Sequence, residues 1–220
     1  MPYAFVSYQT ADKVVAGKIR DALAEVGIQT FLAHEDIFVS EEWRLKILEQ
    51  IGVCDIFICI LSQSYLASPW CVQESGIAAF RGNVTIIPLS IDGTVPPGFV
   101  GNVQSVKVDP ASVYISDFIQ GFVKYNFDFA AGIMINIIAS AKSFRGAEAK
   151  FKIILPYLDR LSPEQAKRLL EVSLRNDQVL HASLCITQYL PPLAQRYGAL
   201  LSESDQKELF GTLARYNAAG

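Results

Sequence analysis

Histidine is almost missing from this 220-residue sequence: it occurs only at His34 and His181. That leaves little material for a Ser-His-Asp set, and the two read as structural or solvated, one in a loop and one in a helix. Cysteine is scarce too. The four, at positions 54, 59, 71 and 185, form no C-x-x-C pair, and with so few histidines beside them they offer no zinc site. Their apolar neighbours suit reduced, buried thiols in a cytoplasmic protein. Positive charge is not in excess. The formal net charge is −3, so the chain lacks the footprint of a nucleic-acid binder. No G-x-G-x-x-G follows the first apolar run, and neither G-x-x-x-x-G-K-[ST] nor G-x-S-x-G occurs. A Rossmann cofactor fingerprint, a P-loop and a hydrolase nucleophile elbow are therefore absent. The most apolar stretch, FDFAAGIMINIIASA (127–141), falls short of the roughly 20 residues that span a bilayer and is interrupted by Asp128 and Asn136. It reads as a buried helix, and no membrane association is expected. The start, MPYAFVSYQT, lacks the charged segment and apolar run of a secretion signal. Internal repeats and low-complexity tracts are lacking as well.

What the chain does have is apolar material, 51% against 19% charged, enough for a sizeable core. Its first part alternates strand and helix patterns. YAFVSY (3–8) is a short strand-like run. Val15, Ile19, Leu23 and Val26 follow at helical spacing, and Gly27 stands where such a helix ends. IQTFL (28–32) reads as a second strand, and a polar loop, AHEDIFVSEEW, leads into a helix over WRLKILEQI that Gly52 is expected to stop. DIFICIL (55–61) is nearly continuous in apolar residues, as a strand covered on both faces is. SQSYLASP reads as a loop. Ser68 and Pro69 then make a cap and first turn for a helix running to about Arg81. VTIIPLSI (84–91) and QSVKV (104–108) complete five strands, and a further helix starts near Ser112. Strands alternating with helices predict an α/β fold, a flavodoxin-like doubly wound parallel sheet of five strands in the order 2-1-3-4-5. From about residue 146 the pattern is helical. Phe151, Ile154, Leu155 and Leu158 share a face, Ser162 to Gln165 form a capping box, and Pro191-Pro192 is expected to break the run that follows.

In a sheet of this order, ligands bind outside the carboxyl ends of the strands, where the order reverses between strands 1 and 3. One carboxylate falls near that place. In SPWCVQESG, Trp70 and Glu74 are four apart and so lie on one helix face. Glu74 is too far from Ser68 for a capping box, and the helix dipole acts mainly within the first turn. Local helix chemistry therefore does not account for it. A solvated surface glutamate remains the ordinary reading, and a catalytic carboxylate the sharper one. Asp12, Glu35 and Asp36 are loop or helix-start acids for which solvation is again the ordinary reading.

Taken in order, AFVSYQTAD (4–12), TFLAHEDIFVSEEW (30–43), DIFICILSQSYLASPWCVQE (55–74) and VTIIPLSIDG (84–93) resemble the Toll and interleukin receptor homology (TIR) family. They match its first strand, its BB loop, its third strand with the W-C-x-x-E helix, and its fourth strand. The resemblance covers roughly residues 1–140, giving a TIR domain over 1–143 and a helical bundle or extension over 146–220. It implies one of two activities. Many bacterial, plant and some animal TIR domains cleave NAD at the nicotinamide–ribose bond, releasing nicotinamide and ADP-ribose or a cyclic or conjugated isomer. Others, in animal innate immunity, are non-catalytic adaptors that assemble through TIR–TIR contacts. The family's catalytic glutamate maps onto Glu74. Adaptors commonly lack it, so its presence favours an NAD nucleosidase or ADP-ribosyl cyclase.

On this resemblance NAD is a substrate, and no cofactor or metal is called for. Trp43 resembles an aromatic that stacks on a base or nicotinamide ring, with a core tryptophan as the other reading, and Trp70 faces the same choice. Tyr8 and Ser62 stand at the ends of strands 1 and 3, where the family contacts substrate, although Ser62 equally suits a turn cap. Asp36 matches a polar BB-loop position. The loop itself departs from the family, since DIFVSEEW carries neither the Pro nor the Gly that many members have there. Because that loop often closes a site shared by two chains, the family implies self-association. The helical region suits packing, oligomerisation or docking of an activator. The setting implied is bacterial antiphage defence. The alternative is a scaffold acting by assembly alone, including a mimic directed at host adaptors.

Overall fold

The structure, a computed structural model, describes residues 2–32 and 43–218. Its first unit, Met1–Asn126, alternates β1 (Tyr3–Ser7), α1 (Lys13–Ala24), β2 (Gln29–Leu32), α2 (Trp43–Val53), β3 (Ile56–Leu61), α3 (Gln63–Ala67), α4 (Pro69–Arg81), β4 (Thr85–Ser90), β5 (Val106–Lys107) and α5 (Ile115–Tyr125). The strands form one parallel sheet in the order β2-β1-β3-β4-β5. This is the five-stranded, doubly wound sheet expected. The unbroken IFICIL run forms the central β3, every residue of it buried, as a strand covered on both faces must be. Gly27 makes its turn at φ 78°, a left-handed conformation glycine adopts at no steric cost, and the chain reverses there into β2.

Register decides what each face carries. Phe5 pairs with Phe57, and Ser7 with Cys59, so these four share one face of the sheet. Phe5 stacks on Phe57 at a centroid distance of 5.4 Å and leans on Phe31, also at 5.4 Å. Ile47 and Ile51 of α2 and Cys71 and Ala78 of α4 join this cluster. Ser7 therefore brings a buried hydroxyl to this largely apolar face. The other helical layer brings Ile19 and Leu23 of α1 and Phe118, Ile119 and Phe122 of α5 into the core.

Several local expectations are corrected. The stretch expected as a loop, SQSYLASP, contains α3, because Ser62 caps it by accepting from the Tyr65 N–H. Gly52 does not stop α2, which continues to Val53. The helix expected near Ser112 begins at Ile115, where the Asp117 carboxylate accepts from the Tyr114 N–H at 2.9 Å. The fifth strand shrinks to Val106 and Lys107.

The second unit, Phe127–Gly220, is all helical: α6 (Phe127–Ala139), α7 (Phe144–Ile154), α8 (Pro163–Leu174), α9 (Asp177–Leu180), α10 (Leu190–Tyr197) and α11 (Glu203–Ala218). The two compact units meet at Asn126 and Phe127. The apolar stretch at 127–141 forms α6, which packs on α7 and α8 and so groups with the helical unit. Its two polar interruptions tie it to α8, with Gln165 donating to Asp128 at 3.1 Å and Arg168 to Asn136 at 2.8 Å. Among the described residues no helix is long and apolar enough to cross a membrane. Ser162 and Gln165 form the expected capping box. Pro191 and Pro192 do not break the helical run. They sit in the first turn of α10, where missing N–H groups do least harm, after a widened π turn at Cys185–Tyr189.

Candidate active site

The orientation of Glu74 is set by how α4 begins. Ser68 is extended, its side chain accepts from the Cys71 N–H, and Pro69 occupies the first turn. Gly82, at φ 68°, closes the other end in the left-handed conformation. Between these caps Cys71, Glu74, Ser75 and Ala78 are the buried positions, the spacing of one helix face. Glu74 is therefore not a solvated helix glutamate; it is only 4% exposed. Its side chain reaches back to the end of β1, where the Ser7 hydroxyl donates to Oε2 at 2.5 Å. Burial pushes the Glu74 carboxyl up from 4.5 to about 7, opposed by the hydrogen bond from Ser7. Among the described residues Oε1 has no hydrogen-bond partner.

Glu74 lines a pocket of about 340 Å³ between α2 and α4. Arg44, Ile47 and Leu48 form the α2 wall; Trp70, Gln73 and Ile77 flank Glu74 on α4. Trp43, the first residue of α2, packs edge-on against Trp70 with ring centroids 4.2 Å apart and planes at 65°. The two indoles are 43% and 41% exposed, so neither is a core tryptophan. They make an aromatic pair beside the carboxylate.

The other residues singled out by sequence are arranged differently. Ser62 does not line this pocket. Its hydroxyl donates to Asp12 at 2.6 Å while capping α3, which is the turn-cap reading. Tyr8 is buried, just beyond β1. Asp36 lies outside the described residues. The thiols are poor nucleophiles: burial pushes Cys71, beside Glu74, up to about 11 and Cys59 up to about 12. Among the described residues no cluster of His, Cys, Asp or Glu is placed to hold a metal ion.

Ser7, Tyr65, Ser75 and Arg44 were not singled out by sequence. Ser7 carried a readable signal, since alternation from Phe5 turns it to the same inward face.

Against known proteins, the model of the TIR domain family matches residues 4–118, just over half of the chain. The chain belongs to the TIR domain family. Its TIR fold carries additional C-terminal helices. Among solved structures it is similar to the TIR domain of the Toll-related receptor TRR-2 from Hydra magnipapillata. The two are 19% identical over 47% of this chain and 82% of that one, with a TM-score of 0.42. It is also similar to the TIR domains of the activated Roq1 resistosome that directly recognises the pathogen effector XopQ. That match has 18% identity over 78% of this chain and 97% of that one, with a TM-score of 0.38. No curated protein matches the chain. Within this TIR domain the W-C-x-x-E segment is the first half of α4, and its glutamate is the one that meets Ser7.

Proposed function

We propose that the TIR unit is an NAD glycohydrolase or ADP-ribosyl cyclase with Glu74 as its catalytic carboxylate. One observation carries the reading: a buried carboxylate, one oxygen held by Ser7, on a pocket lined by Trp70, against which Trp43 packs. The chemistry asks for little else. The nicotinamide ring of NAD is already cationic. When its bond to ribose C1′ breaks, the bonding pair goes to the ring nitrogen and neutral nicotinamide leaves without a proton. Positive charge moves to the ribose, as in glycoside cleavage. A fixed, desolvated carboxylate stabilises that charge more strongly than one in water. Water then adds to C1′ and loses a proton, giving ADP-ribose, whereas capture by an adenine nitrogen gives a cyclic isomer. A cationic ring brought beside Glu74 favours its ionised form. NAD is the substrate rather than a cofactor.

The pocket, about 340 Å³, is at the lower end of the roughly 300–1,000 Å³ of small-molecule sites, a size that suits nicotinamide with its ribose. Arg44 on its wall suits a phosphate of the dinucleotide, and the tryptophan pair suits stacking. The setting is NAD depletion or a nucleotide signal in bacterial antiphage defence, with activity switched on by TIR–TIR assembly or by a partner docked on the helical unit. The test is chromatography of NAD incubated with the protein, with and without a crowding agent, beside Glu74→Ala. Nicotinamide release is expected to fall on the order of 100-fold or more in the variant. Equal release from both proteins would sink the reading.

A second reading, a scaffold acting through TIR–TIR assembly alone, is favoured by Phe80 and Phe99, 92% and 86% exposed. With Gly76 and Ala79 they line an apolar surface groove of about 230 Å³. Following oligomeric state in the same samples separates the two. Assembly and biological effect that survive Glu74→Ala belong to a scaffold.

A further inference from the structure

The inner wall of the Glu74 site is built from hydroxyls. Ser7 is wholly buried, and a buried hydroxyl is destabilising unless it is hydrogen-bonded. Its Oγ lies between Glu74 Oε2, at 2.5 Å, and the Tyr65 hydroxyl, at 3.0 Å. Tyr65, also wholly buried, lies 2.7 Å from the Ser75 hydroxyl. Both Tyr65 and Ser75 reach the Cys71 carbonyl at 3.1 Å, so the chain of hydroxyls ends on a backbone acceptor. Three elements, β1, α3 and α4, supply it.

Counting protons shows what this chain can do. With Glu74 ionised, Ser7 donates to Oε2, Tyr65 donates to Ser7, and Ser75 donates to the Cys71 carbonyl. With Glu74 neutral, its own proton goes to Ser7, Ser7 donates to Tyr65, Tyr65 to Ser75, and Ser75 again to the carbonyl. Every hydroxyl has an acceptor in both states. Oε2 is engaged in each, and Oε1 is the oxygen left for the pocket. We infer that Ser7 and Tyr65 are positioning residues for Glu74, a reversible hydroxyl chain that fixes one carboxyl oxygen and presents the other in either protonation state. The inference rests on Glu74 being the catalytic carboxylate.

Around Glu74 stand Arg44 of α2, on the wall of the same pocket, Tyr65 of α3, reached through Ser7, Cys71 on its own helix, and Cys59 of β3, beside Tyr65 and Cys71. Burial holds the Tyr65 phenol and both thiols neutral well above neutral pH. A carboxyl titration near pH 7 in this cluster therefore belongs to Glu74.

The experiment follows the carboxyl carbon of Glu74 by NMR against pH, its signal assigned by its loss in Glu74→Gln. The wild-type midpoint is expected at about 7. In Ser7→Ala the midpoint rises by about one pH unit, because the donor that favours the ionised form is gone. Tyr65→Phe, which keeps the ring, gives a smaller rise, and Ser7→Thr, which keeps the hydroxyl, returns toward wild type. The acid limb of nicotinamide release moves with the midpoint in each variant. Midpoints that stay in place in both Ser7→Ala and Tyr65→Phe overturn the inference. So do midpoints that rise while the acid limb stays. Midpoints that move in a protein releasing no nicotinamide sink the hydrolase reading instead and uphold the hold of the hydroxyl chain on Glu74.

Discussion

In the helical unit the buried Ser173 hydroxyl donates to the Leu169 carbonyl, one turn back in its own helix, at 2.7 Å. Buried Thr212 accepts from Arg215, three residues on, at 3.0 Å. In the TIR unit the buried polar groups reach much further. Ser7 and Glu74 are 67 residues apart, and Ser7 and Tyr65 are 58 apart. A hydroxyl that bonds within its own helix can be buried wherever the helix packs. A carboxylate held by a chain of hydroxyls from β1 and α3 cannot, and burial opposes its charge. The helical unit thus buries polar atoms as a by-product of packing, around contacts such as Phe151 stacked on Tyr189 at 5.4 Å. The TIR unit buries Glu74 against its own stability, which makes it a candidate site.

The largest effect that can break this comparison is on stability against pH. The folded-state value of Glu74, about 7, lies above its ordinary 4.5. The group therefore contributes fully below about pH 4.5, and that contribution is lost as pH rises through 7. The difference corresponds to roughly 3 kcal/mol. Glu74→Gln keeps the shape and removes the titration. Relative to it, the wild-type Tm is expected to fall by about 10 °C between pH 4.5 and 8. Parallel Tm curves for the two proteins would mean that the carboxylate is solvated after all, and the contrast with the helical unit would collapse.

Much of this was readable beforehand, for local reasons. The unbroken IFICIL run, the Ser68-Pro69 cap and the Ser162 to Gln165 capping box each state their structure within a few residues. Glu74 stood out by helical spacing from Trp70 and by lying near the strand-order reversal. What was not readable is what depends on distant partners. The inward face of Ser7 follows from alternation, but that it meets a carboxylate 67 residues away does not. Tyr65 was hidden because α3, at 5 residues, is too short to show a period. Pro191-Pro192 misled because a proline pair reads as a break, whereas the π turn before it lets the helical run continue.

A middle-sized effect sharpens the contrast at the pocket rim. Trp43 and Trp70 are half-exposed and touch each other, so they cover little core. If they stack on the substrate, Trp43→Ala raises KM for NAD by about tenfold, since aromatic stacking on a ring contributes on the order of 1–3 kcal/mol. kcat changes less, because the stacking is made in ground state and transition state alike. Steady-state kinetics with a Tm measured alongside decide it. An unchanged KM with a Tm several degrees lower would make the pair a packing contact.

The smallest expected effect tests the other side. Ser173→Ala removes a hydroxyl whose acceptor, the Leu169 carbonyl, already serves the helix ladder. The loss is expected to be about 1 kcal/mol or less, the same at pH 5 and pH 8, since no titratable partner is involved. Ser7→Ala removes the same few atoms from an equally buried position, yet it takes a donor from a carboxylate, so its effect on stability must grow with pH as Glu74 ionises. Chemical denaturation of both variants at the two pH values makes the measurement. A pH-independent loss for Ser173 beside a pH-dependent one for Ser7 separates a packing hydroxyl from one that holds a charge. Equal behaviour would place Ser7 with Ser173 and leave the TIR unit with no more than a well-packed polar core.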